Sequence, residues 1–111
     1  MKQISADNFY SDVINSPIPV LVEFSAEWCG ACKALLPVLE EVEIDYLGKV
    51  KFYTMNAEEN EELARSFGVQ NLPSVLLYQN GEVLNGFTGL KNARKVDEFL
   101  TINLGRYLHP F

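Results

Sequence analysis

The stretch EWCGACK, Glu27 to Lys33, carries the only two cysteines of the chain, Cys29 and Cys32, with two residues between them. Three chemistries suit such a pair: part of a metal site, a permanent bridge, or a reversible dithiol. A closed structural zinc site usually takes four Cys or His ligands, and this chain offers Cys29, Cys32 and His109, the last in the tail RYLHPF. On ligand count no metal site is expected. A bridge is not needed for folding either, because 111 residues can bury a single core without a staple.

The reversible reading fits the local pattern. Cys29 falls where a strand and turn give way to a helix, and Cys32 follows three residues later. Positions i and i+3 at a helix start share a face with Cα atoms about 5–6 Å apart, inside the disulfide window. Cys29, at the outer end, meets unpaired backbone N–H groups and the positive end of the helix dipole, which stabilise a thiolate and lower its pKa from about 8.5. Cys29 is therefore the expected nucleophile. Cys32, a turn deeper and shielded by Cys29, attacks second and resolves a mixed disulfide with substrate. That step needs a base. Glu23, in the apolar run VLVEF just upstream, is the candidate: a carboxyl in an apolar strand has a raised pKa and can take the Cys32 proton directly or through water. The alternative is that Glu23 sits near a strand end and reaches solvent. The pattern alone leaves both open.

The elements that must position these groups alternate between strand and helix. Ser5 is placed to cap a helix running to about Asn15, with Phe9, Val13 and Ile14 on its buried face and Pro17 and Pro19 beyond its end. Residues 20 to 24, VLVEF, read as a central strand covered on both faces. After the cysteines, Leu35, Leu36, Leu39, Val42 and Tyr46 recur with helical spacing up to Gly48, and Pro37 inside that helix predicts a kink. VKFYTM, residues 50 to 55, alternates as a strand, and EENEELARSFG reads as a short helix ending at Gly68. SVLLYQNGEVLNGFTG is a hairpin with Asn80-Gly81 at its tip. Ala93, Val96, Phe99, Leu100 and Leu104 trace the apolar stripe of a last helix from Asn92 to Leu104. A short strand at Gln3-Ile4 completes the reading. The economical packing is an α/β fold, a central sheet with helices on both faces, in one domain spanning 1–111 with 105–111 as a tail.

Composition sets the partners. With 48% hydrophobic and 22% charged residues the chain is a compact folded one rather than a disordered one. Its net charge of −6 argues against nucleic acid or an anionic membrane surface, where binding rests on surplus Lys and Arg. MKQISADNFYSDV lacks the apolar core of a signal peptide, and IPVLVEF is too short to span a bilayer. The cytoplasm is the expected compartment, where a close cysteine pair is more often catalytic or metal-binding than structural.

VLVEFSAEWCGACK, followed at matching intervals by NLPSVLLYQNGEV and TGL, resembles the thioredoxin family over nearly the whole chain. A lone CxxC would be weak evidence. Trp28 before it, Lys33 after it, the strand acid Glu23 upstream and Leu72-Pro73-Ser74 downstream make the resemblance specific. It implies the thioredoxin fold, a mixed sheet of four to five strands flanked by helices, and a redox-active Cys29–Cys32 pair without a cofactor. By resemblance Cys29 attacks, Cys32 resolves and Glu23 takes the place of the family's buried Asp. Trp28, Gly30, Ala31, Leu72, Pro73 and Gly89 would border the substrate groove. An unaided reading makes Trp28 an ordinary half-buried aromatic, Gly89 a strand-end glycine and Pro73 a trans proline. The family instead implies a cis Pro73 facing the cysteines, and backbone hydrogen bonds from Leu72 to an extended substrate. Lys33 is a solvated helix charge or a field on the thiolate.

The chain departs from the family pattern at four places. Ala31 replaces the usual proline between the cysteines, Ser25 a common Trp, Glu23 the shorter Asp, and Thr54 a lysine that often partners the acid. Ala31 predicts a less rigid helix start and a weaker reductant. The activity implied is that of a protein-disulfide reductase: a monomer acting on disulfide-containing proteins and recharged by a thioredoxin reductase. The competing readings are a thiol oxidase or disulfide isomerase with a less reducing pair, and a thioredoxin-fold interaction subunit that binds a partner independently of its thiols.

Overall fold

A computed structural model describes residues 1–111. Five strands, β1 (Lys2–Ile4), β2 (Val20–Ser25), β3 (Lys51–Asn56), β4 (Ser74–Gln79) and β5 (Glu82–Thr88), form one sheet in the order β1-β3-β2-β4-β5. The first three are parallel, while β4 runs antiparallel to β2 and β5 antiparallel to β4. The hairpin turns as its sequence demands. Asn80 and Gly81 have φ of 55° and 80°, the doubly left-handed turn that matches strand twist.

Helices α1 (Ala6–Phe9), α2 (Gly30–Asp45), α3 (Glu61–Ser66) and α4 (Ala93–Leu108) cover the sheet. The alternation of β2 explains the two layers. Leu21 points to one face, where it packs with Leu35, Leu39 and Val42 of α2 and with Val96, Leu100 and Leu104 of α4. Val20, Val22 and Phe24 point to the other face and pack with Phe9, Val13, Met55, Ala64 and Tyr78. Glu23 shares parity with Leu21 and so lies under α2, the helix that carries the cysteines. The register sets Glu23 between Thr54 of β3 and Val75 of β4.

Several local expectations are corrected. Ser5 occupies the N-cap of α1 but makes no side-chain cap bond; its hydroxyl lies 3.3 Å from Asn8 Oδ1. The helix after Phe9 continues as a π-helical segment, Tyr10–Ile14, closed by Asn15 N–H donating to Tyr10 O. Leu36 is only partly buried, because it faces the crevice described below rather than the core. The last helix does not stop at Leu104. It is interrupted there (φ −115°, ψ 15°) and resumes to Leu108, and Tyr107 Oη donates to Lys49 O at 2.8 Å. The half-buried Leu108, packed against the core, and the Tyr107 hydrogen bond carry the helix into the segment read as a tail. No helix is long and apolar enough to cross a membrane.

Candidate functional site

Strand β2 ends at Ser25, Ala26 is buried behind it, and a turn at Glu27-Trp28 leads into α2. Cys29 is the N-cap of that helix, with extended backbone (φ −87°, ψ 104°), and its Sγ accepts the N–H of Cys32 at 3.2 Å. This is the environment inferred from the sequence: a sulfur at the positive end of the helix, bonded by an N–H that has no partner inside the helix. A Cys29 thiolate would keep that bond with a charged acceptor, which strengthens it.

Cys29 and Cys32 are joined as a disulfide with their Cα atoms 5.3 Å apart. The expected contrast in shielding is small, since both residues are nearly covered, at 5% and 3% exposure. What separates them is position: Cys29 caps the helix, whereas Cys32 lies in its first turn facing the sheet. Ala26, both cysteines and the partly buried Leu72 pack together.

The peptide Leu72–Pro73 is cis, as the resemblance implied and contrary to the bare-sequence expectation. Pro73 O accepts the N–H of Gly89 at 3.0 Å, which ties the end of β5 to the start of β4. Gly89 has φ of +82°, and a Cβ there would meet nothing within 4 Å. Backbone conformation rather than crowding therefore demands this glycine. Trp28 is 69% exposed, not half-buried, and Gly30, Ala31 and Lys33 are exposed beside it.

Glu23 is 1% exposed, so it does not reach solvent along the strand. Its Oε1 accepts from Thr54 Oγ1 at 3.3 Å, and its Oε2 has no hydrogen-bond partner. Burial pushes the carboxyl up to about 7; the Thr54 bond pulls it down, and the negative charge of Glu40 pushes it up further. Glu23 and Cys32 line one crevice of about 230 Å³, together with Ser25, Ala26, Lys33, Leu36 and Thr54. A carboxyl that titrates near neutrality and shares a crevice with Cys32 is matched to proton exchange at working pH once the disulfide is reduced.

The same crevice is lined by Gln3, Glu27, Asn56 and Glu59, which sequence reasoning did not single out. A signal existed: Ser25 and Asn56 are the last residues of parallel strands, and sites in such sheets gather at the carboxyl ends of strands. Gln3 could not be found that way without knowing that β1 pairs with β3. Asn56 Oδ1 accepts the N–H groups of Glu58 and Glu59, both at 2.9 Å, and so orders the loop at the mouth of the crevice.

The family model described as Thioredoxin matches residues 1–102. The chain belongs to the thioredoxin family. Among similar proteins, the thioredoxin of Rickettsia bellii is 37% identical over 101 residues, 91% of this chain and 96% of that protein. The thioredoxin of Haemophilus influenzae is 44% identical over 81 residues, 73% of this chain and 76% of its own length. Thioredoxin C-2 of Corynebacterium nephridii is 38% identical over 98 residues, 88% and 91% of the two chains. With the fold, the paired cysteines and this membership together, the chain is a thiol–disulfide oxidoreductase of the thioredoxin family.

Proposed function

We propose that the protein works in the reducing direction, as a cytoplasmic, monomeric protein-disulfide reductase recharged by a thioredoxin reductase. The Cys29 thiolate attacks one sulfur of a substrate disulfide; a Cys29–substrate bond forms and the other substrate sulfur leaves as a thiolate. Glu23, ionised, takes the proton of Cys32 through the crevice. The Cys32 thiolate then attacks Cys29 Sγ, the Cys29–Cys32 bond closes and the second substrate thiolate departs. The substrate gains two electrons and the pair loses two, which the reductase returns. Trp28, Gly30, Ala31, Leu72, Pro73 and Gly89 border the groove for an extended substrate, with Leu72 offering backbone hydrogen bonds.

The observation that supports this most is the asymmetry of the pair: Cys29 Sγ lies at the helix N-cap, while Cys32 lines a crevice with a buried carboxyl. The test is insulin disulfide reduction together with the redox potential in a glutathione or dithiothreitol series. Cys29→Ser should abolish turnover, and Cys32→Ser should trap the mixed disulfide. A potential near that of protein disulfide isomerase, about −180 mV, would refute the reducing direction. Full activity of Cys29→Ser would refute the nucleophile.

A further inference from the structure

Glu23 has no cation to hold it. None of the ion pairs in the structure involves it. The groups that face its crevice are Gln3 from β1, Ser25 at the end of β2 with Ala26 after it, Thr54 and Asn56 from β3, Cys32, Lys33 and Leu36 from α2, Glu27 from the turn, and Glu59 beyond β3, while Glu40 acts on it from farther along α2. Its neighbour on β4, Val75, is apolar. The single hydrogen bond that the carboxyl receives comes from Thr54 Oγ1, and it reaches Oε1 only.

A neutral carboxyl has one oxygen that accepts and one that carries the proton. An oxygen already receiving a hydroxyl proton is the poorer place for a second one. Thr54 Oγ1 also lies 3.4 Å from the backbone O of Glu23, but the carboxylate oxygen is the nearer at 3.3 Å and, once charged, the stronger acceptor. Keeping that bond through a protonation cycle leaves Oε2 as the oxygen that exchanges. The parallel register that sets Thr54 directly opposite Glu23 makes the contact a property of the sheet.

We propose that Thr54 is a positioning residue for proton transfer: its hydroxyl holds Oε1 of Glu23 as an acceptor and so confines the exchanging proton to Oε2, the oxygen left without a partner. Thr54 does not touch the reacting sulfurs and acts only through Glu23. This rests on Glu23 being the proton acceptor for Cys32, and the experiment separates the two claims.

The reduced protein is mixed with an aromatic disulfide whose thiolate absorbs visible light. The second phase of thiolate release reports the attack of Cys32, and its pH dependence is followed for wild type, Thr54→Val, Thr54→Ser, Glu23→Gln and Thr54→Val/Glu23→Gln. Removing the donor leaves the ionised carboxylate without its only bond, so Thr54→Val should move the midpoint to higher pH. A rise of about one unit from near 7 would lower the ionised fraction at pH 7 about fivefold, and the rate with it. Thr54→Ser should restore the wild-type profile, and Thr54→Val should add nothing in the Glu23→Gln background. In infrared spectra, the C=O stretch of protonated Glu23, identified by its loss in Glu23→Gln, should move to higher frequency in Thr54→Val and return in Thr54→Ser. An unmoved midpoint and band in Thr54→Val, with Glu23→Gln still slow, would overturn the role of Thr54 while sparing Glu23. Equal losses in Thr54→Val and Thr54→Ser would assign the effect to packing and also overturn it. A Glu23→Gln rate equal to wild type at every pH would remove the acceptor itself, and this proposal with it.

Discussion

Replacing Glu23 by Gln should change how stability depends on pH, because burial raises the carboxyl's pKa in the fold. In the fold the carboxyl titrates at about 7 rather than 4.5. Between these values the folded protein keeps a proton that the unfolded chain has already released. Stability therefore falls as pH rises through this window, and the full cost is present above pH 7. A shift of about 2.5 units at about 1.36 kcal/mol each is about 3 kcal/mol, and at 1% exposure there is little solvent to screen it. Glutamine has no such dependence. Its amide brings two N–H donors to the side where Oε2 has no partner, one more than the protonated carboxyl brings, an excess pH-independent cost of about 1–3 kcal/mol. The variant should thus be the less stable protein near pH 4.5 and equal or exceed wild type at pH 8. Urea unfolding of the disulfide forms across pH 4.5–8.5 measures this directly. The cysteines do not titrate in that form, and the other ionisable groups are common to both proteins, so all but their coupling to Glu23, chiefly from Glu40, cancels in the difference. Two stability curves that stay parallel within about 0.5 kcal/mol would rule this out, because they would mean that Glu23 ionises in the fold as it does in water.

The two glycines at the end of the sheet should respond differently to alanine. At Gly86 a Cβ would lie 2.7 Å from Leu76 Cδ2 and 2.8 Å from Val75 O, and the backbone oxygen cannot yield, so Gly86→Ala should cost at the upper end of about 1–3 kcal/mol. At Gly89 there is open space but φ is +82°, so Gly89→Ala should cost about 1–2 kcal/mol from backbone strain alone; urea midpoints in the reverse order would contradict this. Trp28→Ala, at a residue 69% exposed, should change stability by about 0.5 kcal/mol or less while raising KM for a protein disulfide severalfold. An unchanged KM would take Trp28 out of the groove. Tyr107→Phe removes the bond to Lys49 O at 2.8 Å and should cost about 0.5–1.5 kcal/mol in thermal unfolding, with insulin reduction unaffected.

Much of the fold was legible because its signals are local. The run VLVEF, the Asn80-Gly81 tip and the apolar stripe of α2 each depend on neighbours a few residues away. The boundary at Leu104 was not legible, since Gly105 to Leu108 carry no stripe and are held by Tyr107 reaching Lys49 and by Leu108 against the core. The π-helical continuation after Phe9 was likewise invisible, because its residues satisfy the same apolar spacing as an α-helix for less than two turns.

At the site, two cysteines three residues apart at a helix start and a carboxyl on the preceding strand were already legible in the residue order. Spacing along one helix turn is enough to bring two sulfurs together, so no distant contact had to be known. The surroundings of Glu23 were not legible there. Whether that carboxyl met water or the underside of α2 depends on which strands flank β2 and in what register. The pairing with β3 set Thr54 opposite it, and the pairing with β4 closed the other side with Val75. A carboxyl's pKa is set by everything within a few ångströms of it, and here those neighbours come from α2 and from β1, β3 and β4, strands brought beside it by the fold.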